Sequence, residues 1–319
     1  KEQKGYAYLS GRYGYLSLLA PFVIEKITGE KPSSLPEYWD YQFKTKYYVN
    51  NTNTITLFLM GSSDYMKIVD KDGDEIGKDE DPLLANLESK EKWKSHSQGL
   101  YYSWSPSKLF SNKLILFSAL MDYYTYFNLP NEQVAEVWKD VNIKSKPYIF
   151  GIKEKFKLNL INNHLDFNGS LEYRHYDFKA KGKSVASTGD AEYFDLSDPS
   201  QVAKVDIDKK IINRTFSSSL ESKLKLGGLS IVPGLRTDYL QRTGVTLFDP
   251  RGRIVYEFPT NTTFSIAGGK YSYFMQTNPF LFNEQPQWSS IGKDLKPEKS
   301  YHRAVGIEQK IGLFIIKTE

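Results

Sequence analysis

The chain has 319 residues, a net charge of +4 with both signs interspersed, 40% hydrophobic residues and no cysteine. A mean hydropathy of −0.50, with the longest apolar stretch (16–24) carrying Ser17 and broken by Pro21, excludes membrane helices, which need about 20 apolar residues. The scattered charge excludes a nucleic-acid stripe, and the missing cysteine suits an exported chain that avoids stray disulfides.

Period-two alternation and turn punctuation predict strands at about 5–15, 37–50, 54–67, 92–105, 113–127, 147–160, 164–178, 210–226, 229–242, 252–258, 263–275, 300–311 and 313–319. Lys1 to Tyr8 leads straight into strand-like sequence without a signal peptide. Between the first two strands, Leu18 to Ile27 has near-helical apolar spacing and reads as a short helix, folded over a mouth or packing its loop down. The loop at 70–82 places Asp70, Asp72 and Asp74 at positions one, three and five of a calcium-loop pattern. Glu75 replaces the turn glycine and Asp81 the final glutamate, so a solvated loop is the stronger reading and divalent-cation binding the alternative. The run Asn131 to Lys139 is a second helix-prone loop segment.

The pattern is clearest from 146 to 228. Ile152, Phe156, Leu158 and Leu160, with Glu154 the exception, alternate with Gly151, Lys153, Lys155, Lys157 and Asn159; Leu165, Phe167, Gly169, Leu171 and Tyr173 alternate with Asp166, Asn168, Ser170, Glu172 and Arg174. Side chains alternate along a strand, so each segment is apolar on one face only. Segments of about fourteen residues exceed the roughly 9–11 that a tilted strand needs to cross a bilayer. Low average hydropathy is then expected, because half of each strand faces water.

Connections alternate short (50–53, 106–112, 161–163, 227–228, 259–261, Gly312) and long (16–36, 68–91, 128–146, 179–209, 277–299, with 243–251 a shorter member). Short periplasmic turns and long extracellular loops mark outer-membrane barrels, so the first strand should run outward. Aromatic clusters at Trp39 and Tyr41, at Tyr101, Tyr102 and Trp104, at Tyr123, Tyr124 and Tyr126, at Tyr148 and Phe150, and at Tyr271, Tyr273 and Phe274 read as interfacial girdles. The expected fold is all-β: an antiparallel transmembrane β-barrel. The odd strand count, and an end at Glu319 within a rising strand, point to an excerpt of a larger barrel.

Several stretches resemble the barrel of TonB-dependent outer-membrane receptors. They are Leu229-Ser-Ile-Val-Pro-Gly-Leu-Arg-Thr-Asp-Tyr239, Asp249-Pro-Arg251, Thr262-Thr-Phe264 rising to Gly268-Gly-Lys-Tyr271, Asp294-Leu-Lys-Pro-Glu-Lys-Ser300 before Val305-Gly-Ile-Glu308, and Pro36 to Lys44. Their order across 229–311 carries the likeness, and upstream it is architectural. The resemblance implies a wall of about 22 strands, of which about 13 lie here, with residues 1–319 forming part of one outer-membrane barrel domain. It implies uptake of a scarce nutrient complex (a ferric siderophore, haem or cobalamin) driven through TonB, a location in the bacterial outer membrane, and lipid bilayer, lipopolysaccharide and the small ligand as partners, with no nucleic acid. No plug domain, TonB box or terminal aromatic strand is found in the sequence.

The expected lumen-facing residues are Lys153, Lys155 and Lys157; Asp166, Glu172 and Arg174; Glu221, Lys223 and Lys225; and Arg236 and Asp238, with charges pairing across strands. Arg236 and Asp238, two apart on one side, are expected to find partners on neighbouring strands rather than each other. Arg251 and Glu298 are expected to anchor loops, and lysines and arginines at the outer rim to meet lipid phosphates. His96, His164, His175 and His302 lie on different strands, with no metal-site or catalytic spacing. Neither a cofactor nor enzymatic activity is expected. The alternatives are a passive porin-like channel or surface adhesin with the same wall, and a soluble β-protein that binds carbohydrate or protein.

Overall fold

The computed structural model describes residues 4–15, 19, 22–23, 25–27, 36–69, 88–128, 139–161, 164–187, 202–273, 296–312 and 314–318. The strands are β1 (Gly5–Tyr13), β2 (Glu37–Asn50), β3 (Asn53–Val69), β4 (Glu88–Trp104), β5 (Phe110–Asn128), β6 (Val141–Ser145) and β7 (Tyr148–Leu160). They continue as β8 (Leu165–Ser187), β9 (Val202–Leu226), β10 (Leu229–Leu240), β11 (Val245–Glu257), β12 (Thr262–Tyr273), β13 (Glu298–Ile311) and β14 (Phe314–Thr318). All fourteen form one antiparallel sheet in chain order. Among the described residues β1 and β14 are its edges, and no helix is long and apolar enough to cross a membrane.

β6 and β7 are one strand in two pieces. Both pair with β5 and β8, and the register does not shift between them: Ser145 faces Ala180 and Tyr148 faces Asp177. The break is at Pro147, which has no N–H to give the ladder, while its carbonyl still accepts from the Met121 N–H at 3.0 Å. Counted as one strand, the sheet has thirteen passes, each of which the alternation anticipates.

Meander order follows from the turns. At 227–228 only the first central residue has positive φ (Gly227, 59°), the requirement of a type II′ hairpin, whose twist matches the strands. The connection expected at 243–251 is a correction. Only Gln241 to Gly244 turn there, and Val245 to Arg251 are strand. The Asp-Pro-Arg-Gly run looks like a loop because Pro250 cannot donate to the ladder. Asp249 takes over, accepting from the Ser272 N–H at 2.9 Å and the Ser272 hydroxyl at 2.7 Å. Arg251 therefore lies within a strand rather than anchoring a loop, and Glu298 is the first residue of β13.

One face of the sheet is a bare apolar belt. Leu171, Leu220 and Ile254 are each at least half exposed, and the described strands form no second sheet to cover them. Monomeric soluble proteins rarely leave such a surface uncovered, and a lipid-facing wall requires it. A one-residue slip of register would turn this belt into the polar interior, so the pairing is tightly specified.

Beyond the belt, the tall strands β4–β9 exchange their two faces. On β8 the face carrying Leu165, Phe167, Leu171 and Tyr173 continues as Asp177, Lys179 and Lys181. The face carrying Asp166, Glu172 and Arg174 continues as Tyr176, Phe178 and Ala180. β9 does the same, with Leu224, Leu220 and Phe216 giving way to Lys210 and Asp208, and Ser217 and Thr215 giving way to Ile211 and Ile207. Phe178, Ala180 and Ile211 pack with Tyr176 and Ile207 into the main buried apolar cluster. Trp93 sits on Tyr123 nearby, ring centres 4.3 Å apart. The flip marks where acyl chains end and water begins. From Phe110 to Leu120 on β5 and Leu165 to Tyr173 on β8, the belt spans the roughly 9–11 residues a tilted strand needs.

The sequence places the end of these strands at the loss of the first alternation. β8 and β9 instead extend through most of the expected loop at 179–209, because reversed alternation is still strand. The aromatic girdle also needs correction. Tyr102, Trp104, Trp39, Tyr41 and Tyr148 share the apolar face, but Tyr101, Tyr123 and Tyr271 are on the other one. Residues 19, 22–23 and 25–27 are helical, with Phe22 and Ile27 exposed. Asp70, Asp72 and Asp74, and the run 131–138, lie outside the described residues.

Candidate functional site on the polar wall

The polar face of the span is a grid of facing side chains set by backbone register. One row runs Ser111, Lys157, Asn168, Glu221, Gly234, Arg251, Gly269, His302 across β5 and β7–β13. The next runs Lys113, Lys155, Ser170, Ser219, Arg236, Asp249, and the third Ile115, Lys153, Glu172, Ser217, Asp238, Leu247. Every expected lumen candidate is on this face.

The third row is neutralised internally. Glu172 is nearly buried and accepts from Lys153 at 2.6 Å across the strand pair and from Arg174 at 2.5 Å along its own strand. Asp238 accepts two bonds of 2.7 Å from Arg236 and one of 2.5 Å from the Ser217 hydroxyl. Arg236 and Asp238 thus pair with each other, against the expectation. Side chains at i and i+2 on a twisted strand lie within reach of a long guanidinium, whose fork matches a carboxylate bidentately.

The rows nearer the short turns are neutralised only in part: Arg236 pairs with Asp238, and Glu221 stands in the row of Lys157 and Arg251. Lys113 and Lys155 face each other directly, a like-charge arrangement that costs stability, and Lys157 is the next residue of that face. Among the described residues none of the three has an ion pair. Lys113 lies over the Tyr101 ring at 4.8 Å, and Arg251 over Tyr271 at 5.7 Å. These cations border a cavity of about 610 Å³ with Ser111, Ser170 and Ser219 as hydroxyl donors. Asp166 faces Lys223 in register, yet its Oδ1 is buried with no hydrogen-bond partner. The sequence does not single out Lys113, and Arg251 reads there as a loop anchor rather than a residue of this wall. Lys113 lies in a mostly apolar strand, and only its register opposite Lys155 gives it meaning.

The histidines separate. His96 Nδ1 is 2.5 Å from the Tyr41 hydroxyl on the apolar face, and His175 lies 3.4 Å from Arg214. His164 is in a turn, and His302 Nε2 is 2.6 Å from the Ser300 hydroxyl. No carboxylate hydrogen-bonds His302 among the described residues, so the Ser300–His302 pair lacks the group that orients a catalytic base. No set of three or more acidic or histidine side chains there could hold a metal.

No family model and no curated protein matches the sequence. Solved structures do match its fold. The copper transporter OprC superposes with a TM-score of 0.65 at 14% identity, over 97% of this chain and 47% of that one. A mutant of the ferric enterobactin receptor PfeA of Pseudomonas aeruginosa gives 0.64 at 12%, over 99% and 48%. The siderophore receptor PirA of Acinetobacter baumannii gives 0.61 at 16%, over 99% and 47%. The chain thus spans about half the length of each of these structures. Its fold is that of the barrel wall of TonB-dependent outer-membrane receptors.

Proposed function

We propose that the chain is part of the barrel domain of an outer-membrane active transporter that takes up a scarce nutrient complex and is energised through TonB. One observation carries the reading: a single sheet, apolar outside over one bilayer height, matches receptor barrels over nearly its whole length. Lys153, Lys155, Lys157, Asp166, Glu172, Arg174, Arg236 and Asp238 then line the lumen. The Glu172 and Asp238 networks stiffen the wall, and Lys113, Lys155, Lys157 and Arg251 present positive charge to whatever fills or passes through it. The nutrient class is a ferric siderophore or another metal complex, as the neighbours' names suggest, with haem and cobalamin the other classes that the family resemblance implies.

A strain deleted for the gene, grown on defined iron, haem, cobalamin and copper sources, should lose growth on one of them when that nutrient is scarce. An unchanged profile on all four would overturn the proposal. Steady ion conductance of the purified full-length protein in planar bilayers would favour the passive channel instead.

A further inference from the structure

The apolar belt carries one group for which a wall facing only acyl chains has no use. Glu154 points outward at mid-belt, in register between Leu114 on β5 and Leu171 on β8, in a row that continues as Ser218, Thr237 and Phe248. Across the span of β5 to β11 it is the only outward carboxylate among the described residues. Ionisable groups at such a depth are costly and mark functional surfaces. Other polar side chains of the belt close on themselves, Gln98 on Ser118 at 3.0 Å and Ser218 on Thr237 at 2.7 Å. Glu154 does not. Asn112 donates to its Oε1 at 2.6 Å, while its Oε2 and the second N–H of Asn112 have no partner among the described residues. The surroundings leave the pair open to approach. Toward the short turns, Gly169 leaves room for the Phe156 ring to lie over it, where a larger side chain would collide. On the other side Glu154 borders a groove of about 510 Å³ with Ile152, Leu171 and Phe216 on its walls.

We propose that this face is the contact between two copies of the protein, joined about a two-fold axis beside the Asn112–Glu154 pair. Two copies inserted in the same sense share their depth, so the axis runs along the membrane normal and each residue meets groups from its own level. One copy leaves a donor and an acceptor open side by side. Half a turn sets the donor of each copy against the acceptor of the other, which is the self-complementary condition of an isologous contact. The two asparagines and two glutamates then close into a ring of hydrogen bonds, and Leu114, Leu171 and Phe216 of both copies keep acyl chains away from it. A different membrane protein would have to bring a cation or donor to this one level of the bilayer, whereas a second copy brings it by symmetry. The inference needs only that the apolar belt meets lipid, not that the protein transports anything.

The test cross-links the full-length protein in lipid vesicles through single introduced cysteines, residues 1–319 having none of their own. With a short bismaleimide, Leu171→Cys, one strand from Glu154, should give a covalent dimer, and Ile254→Cys, on the same belt but at β11, should not. Association without cross-linker is read from energy transfer between dye-labelled copies as the vesicles are diluted with lipid. Glu154→Leu removes the bonds on both sides of the axis and should weaken association about tenfold. Glu154→Gln still accepts and donates, and should keep it. Gel mobility of unheated protein shows which variants are folded, and Asn112→Leu, with the same expected loss, replaces Glu154→Leu if that variant is not. A wild type that stays monomeric in vesicles, equal cross-linking at the two cysteines, or undiminished association of the folded leucine variant would each overturn the contact. A loss in Glu154→Gln as large as in Glu154→Leu would overturn it in favour of a cationic partner. A strain with an unchanged nutrient profile whose protein still dimerises would sink only the transport reading.

Discussion

The sheet has a tall arc and a short one. β3 to β9, counting β6 and β7 as one, run 17 residues or more; β10 to β13 run 12 to 14. The short strands are little more than a bilayer crossing. The tall ones cross the same distance and then continue into water, where the solvent is on the convex side and the apolar side chains must turn inward. One strand therefore obeys the hydrophobic effect in opposite directions along its length, and the boundary can be read as the residue where alternation reverses.

Four measurements test that contrast. The largest effect is expected in the water-facing part of the tall arc. Phe178→Ala empties the inward apolar cluster, where Phe178 is 2% exposed, and should cost about 3–5 kcal/mol. Proteolysis should then cut the β8–β9 hairpin first. Intact resistance there would mean that the inward cluster does not hold it.

Next comes a paired substitution across the flip. Leu220→Arg, in the belt, should cost about 2–4 kcal/mol in denaturant unfolding from lipid vesicles, and Ile212→Arg, on the same face past the flip, about 0–1 kcal/mol. Equal costs would move the boundary. Third, Glu172→Gln leaves Lys153 and Arg174 without their shared carboxylate and should cost about 2 kcal/mol, visible as a lower temperature for losing the folded gel band.

The smallest effect is a pH term at the top of β4. Glu88 is held below the usual carboxylate range by its hydrogen bond from Lys90 at 2.6 Å, with Lys67 adding attraction. A lowered folded-state value means that this stabilisation is present above the unfolded carboxylate range and is lost as pH falls through the folded value. As a partly exposed pair it is worth only ~0.3 kcal/mol. Glu88→Gln should flatten the acid limb of the stability curve by that amount, and a steeper change would mean a more buried pair.

Thirteen passes, their order, and the identity of the two faces within the bilayer were legible from residues alone, as in Lys153, Lys155 and Lys157 against Ile152, Phe156 and Leu158. What was not legible came from places where neighbours override local preference. Asp249-Pro250-Arg251 has turn chemistry, yet Ser272 donates to Asp249 and keeps it in the sheet. Tyr101 and Tyr271 sit in aromatic clusters, but strand alternation puts them on the polar face, where Lys113 and Arg251 lie over their rings.

A period of two determines which residues share a face, because successive Cβ atoms point to opposite sides whatever the context. That much this sequence settled by itself: a wall with one face for lipid and one for water. Register across strands decided the rest. It set Lys113 against Lys155 without a carboxylate, brought Lys153 to Glu172 and set the Ser217 hydroxyl on Asp238. Those contacts join residues far apart in the chain, so only hydrogen-bonded pairing of whole strands can bring them together.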